Sequence, residues 1–184
     1  PFYVTGESYA GHYVPHFSRW IFDQNKDVKP GNVHVNLAGF AVGDGLVDPY
    51  TQYQEYAPYA LDYGIIGKVE YEAMMQCLPY CLEAINNCSQ SSLEGLDACI
   101  EATDICELCE VEPVVVSTGL NPYDIREACT YKPLCYNFTD IDLFYNLNST
   151  IQGLHAEKNK WKDCSRGVEY QLTLAGDWML NYAV

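Results

Sequence analysis

The chain opens on a short apolar run, "FYVT" at residues 2–5, that stops at Gly6. A run this short, bounded by a glycine, predicts a buried strand. The period then changes. Tyr13, Phe17, Trp20 and Ile21 recur at i, i+4, i+7 and i+8, which predicts a helix to about Asp23 carrying one apolar stripe. Pro15 should kink this helix or lie near its start. The polar loop "QNKDVKPGN" separates it from residues 33–42, "VHVNLAGFAV", a second predicted strand. Strand, helix, strand in this order is a βαβ unit with parallel strands.

After "GDGLVDP" the character changes. Residues 50–135 read as mostly helical, rich in Tyr and Cys, with no further strand alternation, and are expected to form an insertion above the sheet. "TDIDLFYNLN" starts another helical stretch with Thr139 or Asp140 as N-cap. The pattern divides the chain into an α/β core segment at 1–49, a helical cap insertion at 50–170 and a return to the core at 171–184. Residue 1 reads as the edge of a strand interior, and "GDWMLNYAV" as a helix without a cap, so both ends are expected to be cut.

Charge and cysteines narrow the classes. The net charge is −15 with only 10 Lys plus Arg, which argues against a nucleic-acid partner. No apolar run approaches membrane-spanning length. Nine cysteines are clustered, Cys77, Cys81, Cys88, Cys99, Cys106 and Cys109 first, then Cys129 and Cys135, with Cys164 alone. Three sequons accompany them, at Asn87, Asn137 and Asn148. Together these favour an oxidising secretory route. Cys77-x-x-x-Cys81 and Cys106-x-x-Cys109 also have spacing that a zinc site could use. If residues 70–88 and 95–110 form an antiparallel helical hairpin, the cysteines nest instead as Cys77 with Cys109, Cys81 with Cys106 and Cys88 with Cys99.

The chemistry concentrates at Gly6-Glu7-Ser8-Tyr9-Ala10-Gly11. A nucleophilic serine on a strand-to-helix turn needs small residues two positions to either side, and Gly6 and Ala10 meet that need. The helix N-terminus would favour a developing oxyanion, with the Tyr9 N–H as donor. On the motif alone, a Ser/Gly turn that caps a helix is an equal reading. Glu7 would likewise suit a helix N-terminus, and the Tyr53, Tyr56 and Tyr59 stripe would suit packing.

The longer strings "GESYAGHYVP", "GDGLVDPYTQYQEYAPYALDYG", "NPYDIREAC", "LCYN", "IQGLHA", "WKDCS" and "LAGDWM" resemble, in order and spacing, the serine carboxypeptidases, especially their carboxypeptidase Y-like group. The resemblance runs over nearly the whole chain. It implies a partial α/β-hydrolase fold with a helical, disulfide-rich insertion, and release of C-terminal residues from peptides through an acyl-enzyme. Ser8 carries over as nucleophile and the Tyr9 N–H as an oxyanion donor. Glu7 carries over as the group that binds the substrate carboxylate; it must be protonated to donate a hydrogen bond, so activity should favour acidic pH. Leu46, Tyr53, Tyr56 and Trp178 would line the pocket for the residue before the scissile bond, and Tyr123 and Tyr136 would approach the leaving residue.

The inner two nested disulfides match the family's spacing, as does a small loop closed by Cys129 and Cys135. The family's triad Asp and His, and its Gly-rich oxyanion loop, have no matching positions here. His12, His16, His34 and His155 read as packed or surface histidines. The 184 residues alone are therefore expected neither to hydrolyse peptides nor to react with a fluorophosphonate. No cofactor or metal is implied. The expected partners are peptides or proteins with a free C-terminus, and the expected location is vacuolar, lysosomal or extracellular. Other readings are an acyltransferase on the same scaffold, for which Asp would be typical in place of Glu7, and a non-catalytic relative or inert fragment.

Overall fold

The computed structural model describes residues 1–88, 93–131, 134–156 and 160–174. Strand β1 (Phe2–Glu7), helix α1 (Ala10–Gln24) and strand β2 (Leu37–Gly43) follow in order. The strands pair in parallel, Tyr3 opposite Gly39 through Glu7 opposite Gly43. Parallel pairing requires a crossover, and α1 supplies it.

The second strand begins at Leu37 and not at residue 33. The cause is Asn25, just past the end of α1. Its side-chain Nδ2 donates to the Val35 carbonyl at 2.7 Å, and its Oδ1 accepts from the Val35 N–H at 3.0 Å. With both backbone groups of Val35 satisfied by an amide, that residue has no need of a strand partner. The apolar stripe on α1 is also not the buried face. Gly11, His12, Val14 and Ser18 are buried, whereas Phe17 is 61% and Trp20 is 62% exposed. Ala10 and Val14 lie against Gly6 of β1, a close approach that the lack of a Cβ at Gly6 allows. Pro15 lies inside α1, in its second turn.

Helices α2 (Pro49–Asp62), α3 (Lys68–Asn87) and α4 (Leu93–Cys106) follow, then a π-helical turn (Glu107–Val111) and α5 (Glu112–Thr118). Asp48 caps α2, its carboxylate accepting from the Thr51 hydroxyl at 2.6 Å, and Pro49 suits the first helical turn. The turn is closed by a bond from the Glu112 N–H to the Glu107 carbonyl, five residues apart. Disulfides stitch α3 to α4 and to the π-turn: Cys77–Cys109, Cys81–Cys106 and Cys88–Cys99. With Tyr53 and Leu78 these cysteines form one buried cluster, the half-buried Cys77 packing against it; Ala57, Ala60, Ile66 and Met74 form a second between α2 and α3.

Two further strands lie where none was expected, β3 (Leu120–Asn121) and β4 (Asp124–Ala128), paired as an antiparallel hairpin. Asn121 sets its turn, its side-chain oxygen accepting from the Tyr123 N–H at 2.9 Å. Most residues of β4 are exposed, so no buried face imposes alternation on the sequence. Helices α6 (Thr139–Tyr145), α7 (Asn148–Gly153) and α8 (Arg166–Leu174) complete the described chain. Thr139 is the first residue of α6 and neither it nor Asp140 caps the helix. Asn137 does the equivalent work, accepting from the Thr139 N–H at 3.1 Å and its hydroxyl at 2.6 Å.

Candidate active site

Ser8 occupies the sharp corner between β1 and α1. Its φ is +57°, a left-handed conformation that non-glycine residues seldom adopt. The corner is held from both sides. The Ser8 N–H donates to the Gly43 carbonyl at 2.9 Å, extending the parallel ladder, and the Ser8 carbonyl accepts from Leu46 N–H at 3.0 Å and Gly11 N–H at 2.9 Å. The serine side chain is left exposed at the end of the strand.

The close packing behind it requires small residues. A Cβ at Gly6 would lie 2.5 Å from the Ala10 Cβ, so the two positions flanking the serine cannot both be larger. Gly11 has a different reason. A Cβ there would overlap the backbone of Leu46, so α1 can meet the loop after β2 only with glycine at this position. That loop is itself unusual, because Asp44 also has a positive φ, +45°. The motif alone did not show that Gly11 and Asp44 shape the corner; their partners are distant in sequence.

Tyr9 precedes the first helical residue and its N–H belongs to the end of α1 that has no intrahelical acceptor. Glu7 ends β1 opposite Gly43 and is exposed. Among the described residues no hydrogen bond reaches the Ser8 hydroxyl. His12, one turn further along α1, packs its ring against Tyr9 at 5.0 Å; burial holds its imidazole below its ordinary value, and Nδ1 has no partner.

Leu46 adjoins the serine through its backbone, and Gln52 ties the same loop to α2. The Gln52 Oε1 accepts from the Val47 N–H at 2.6 Å and the Asp48 N–H at 2.9 Å, while Nε2 donates to the Gly45 carbonyl at 2.9 Å. Next to Gln52, Tyr53 is buried, and one turn on Tyr56 is half-buried, their rings 5.1 Å apart. Burial, and then the nearby Glu107, push both phenols up. Tyr123 and Tyr136 lie together elsewhere, rings 6.0 Å apart and both exposed. Trp178 lies outside the described residues. Cys129 is bonded to Cys135, and Cys164 is free and exposed. Asn87, Asn137 and Asn148 are exposed, though Ser89 of the first sequon is outside the described residues. No group of metal-ligating side chains forms among the described residues.

A family model described as serine carboxypeptidase matches residues 1–183. The chain belongs to the serine carboxypeptidase family. It is 38% identical over 183 residues to a serine carboxypeptidase-like protein of Oryza sativa, covering 100% of this chain and 41% of that one. Serine carboxypeptidase-like 49 of Arabidopsis thaliana is also 38% identical, with 100% of this chain and 34% of that protein covered. Carboxypeptidase Y homolog A of Ajellomyces capsulatus is 34% identical, over 98% of this chain and 32% of its own length. Among solved structures, Kex1(delta)p, a prohormone-processing carboxypeptidase from Saccharomyces cerevisiae, superposes with a TM-score of 0.65 at 26% identity, over 94% of this chain and 38% of that one. This serine carboxypeptidase chain thus spans about a third to two-fifths of the relatives it matches, and it carries part of an α/β-hydrolase fold with a helical, disulfide-stitched insertion.

Proposed function

We propose that the protein of which this chain is part is a serine-type carboxypeptidase, with Ser8 as its nucleophile. The observation that supports this reading most is the geometry of Ser8, held at φ +57° between a strand end and a helix N-terminus. The serine oxygen attacks the carbonyl of the last peptide bond, and its proton passes to a base. Charge gathers on the carbonyl oxygen, where the Tyr9 N–H is placed to donate. The base returns that proton to the peptide nitrogen as the C–N bond breaks, the C-terminal residue leaves with a free amine, and water, giving a proton to the same base, then hydrolyses the acyl-enzyme and restores the serine hydroxyl. A protonated Glu7 donates to the substrate's free carboxylate, which makes the reaction an exopeptidase one favoured at acidic pH. Leu46, Tyr53 and Tyr56 hold the residue before the scissile bond; Tyr123 and Tyr136 face the leaving residue. The four disulfides and the exposed Asn137 and Asn148 sequons support a vacuolar, lysosomal or extracellular location.

The test uses the full-length protein. It should release single C-terminal residues from blocked dipeptides and be labelled by a fluorophosphonate at Ser8, and Ser8→Ala should remove both. Labelling without release, together with transfer of an acyl group to an alcohol, would instead identify an acyltransferase.

A further inference from the structure

Glu110 lies in the π-helical turn and is wholly buried, and neither of its carboxyl oxygens has a hydrogen-bond partner. The turn cannot drift away, because Cys109 beside it is bonded to Cys77 and Cys106 at its start is bonded to Cys81. Among the described residues the groups around Glu110 offer no countercharge. From α2 come the phenols of Tyr53 and Tyr56, with Glu55 on the wall of the same cavity. Its own turn adds Glu107, and α5 begins with Glu112. The α3 and α4 cysteines bonded within this hairpin, and Leu78 and Ile105 in the same buried cluster, do not titrate. Every ionisable group in this set is an acid or a phenol. An ionised carboxylate there meets neither solvent nor, among the described residues, a cation. An escape route adjoins it, a cavity of about 490 Å³ lined by Glu110, Tyr56, Tyr59, Ile65 and Val114.

We propose that Glu110 is a positioning residue for the tyrosine wall of the substrate pocket: Tyr53 and Tyr56 keep their packing only while the Glu110 carboxyl is neutral, and its ionisation drives the side chain into the adjoining cavity and loosens that wall. This rests on the reading of Tyr53 and Tyr56 as pocket residues. Burial pushes the Glu110 carboxyl up to about 7, so the change falls between an acidic and a neutral compartment.

The experiment uses the full-length protein with its disulfides intact. Hydrogen exchange of peptides covering residues 107–116, corrected for intrinsic rate, is compared at pH 5 and pH 8. Protection should fall by between one and two orders of magnitude in the wild type, as linkage between an ordinary carboxyl value of 4.5 and one of about 7 requires over this interval, and stay constant in Glu110→Gln. No fall in the wild type, or an equal fall in the variant, overturns the proposal. The second readout is the ratio of kcat/KM for leucine over alanine at the penultimate position. It should drop from pH 5 to pH 8 in the wild type and stay flat in Glu110→Gln. Effects of Glu7 and of the catalytic base cancel in this ratio, being common to both peptides. A ratio that falls equally in the variant overturns the link to the pocket. If the variant does not fold, the infrared band of a buried protonated carboxyl in the wild type decides: its loss in step with protection supports the proposal, and its absence at pH 5 overturns it. A protein that shows the exchange change but hydrolyses neither peptide refutes the peptidase reading and leaves the Glu110 coupling intact.

Discussion

Ser8 is held in a backbone conformation that costs roughly 1–3 kcal/mol for a residue with a side chain, and its neighbours show what offsets that cost. Its carbonyl takes two backbone donors and its N–H continues the sheet. Gly11→Ala, which would push a methyl into the Leu46 backbone, is expected to lose about 1–3 kcal/mol of stability in urea unfolding of the full-length protein. Glu7→Gln should weaken the acid-favoured profile of peptide release; an unchanged pH profile would remove Glu7 from the site. Glu110 makes a stability prediction of its own. Its carboxyl rises from 4.5 to about 7 on folding, so its share of stability is present below 4.5 and is lost as pH rises through 7. Glu110→Gln should flatten this pH dependence, by up to about 3 kcal/mol, in denaturant titrations between pH 4 and pH 8. At this scale Ser8, Gly6 and Ala10 were legible because local sterics dictate the motif. Gly11, Asp44 and Glu110 were not, since what constrains each lies far along the chain.

The elements divide in the same way. Helix α1 was legible from its period although its apolar stripe is not the buried face, the helices of 50–135 from the lack of strand alternation, and the cysteine nesting from the hairpin that α3 and α4 would make. Missed were β3 and β4, whose exposed side chains leave no alternation, and the π-turn, for which the sequence carries no periodic mark. The nested disulfides are not independent. With Cys81–Cys106 in place, opening Cys77–Cys109 frees only the short segments between neighbouring cysteines, so replacing that pair by alanine should cost about 2 kcal/mol. Replacing all six hairpin cysteines should melt the hairpin, which thermal unfolding followed by circular dichroism would show. Asp48→Ala, removing the cap of α2, should cost about 1 kcal/mol in the same measurement.

Across the whole molecule the apolar surface is unevenly covered. The two strands pair only with each other among the described residues, and Phe2, Tyr3, Phe40, Phe17 and Trp20 are all exposed. Expressed alone, these residues are expected to bind a hydrophobic dye and to self-associate at exposed strand edges, whereas the full-length protein should do neither. A monomeric, dye-silent chain would contradict this. The charge of −15 remained a guide to what is absent and gave no information on fold. The resemblance named Leu46, Tyr53 and Tyr56 together; the structure joins the loop that holds Leu46 to the helix that holds the two tyrosines through the Gln52 amide.

That amide has a practical consequence for anyone building chimeras. Three main-chain groups between Gly45 and Asp48 depend on one side chain of α2, so the loop beside the serine and the helix bearing the tyrosines form a single transplantable module. A donor helix grafted without residues 45–48 would arrive with its anchor, Gln52, pointed at the wrong loop. Cut ahead of Gly45, the same graft carries its own foundation.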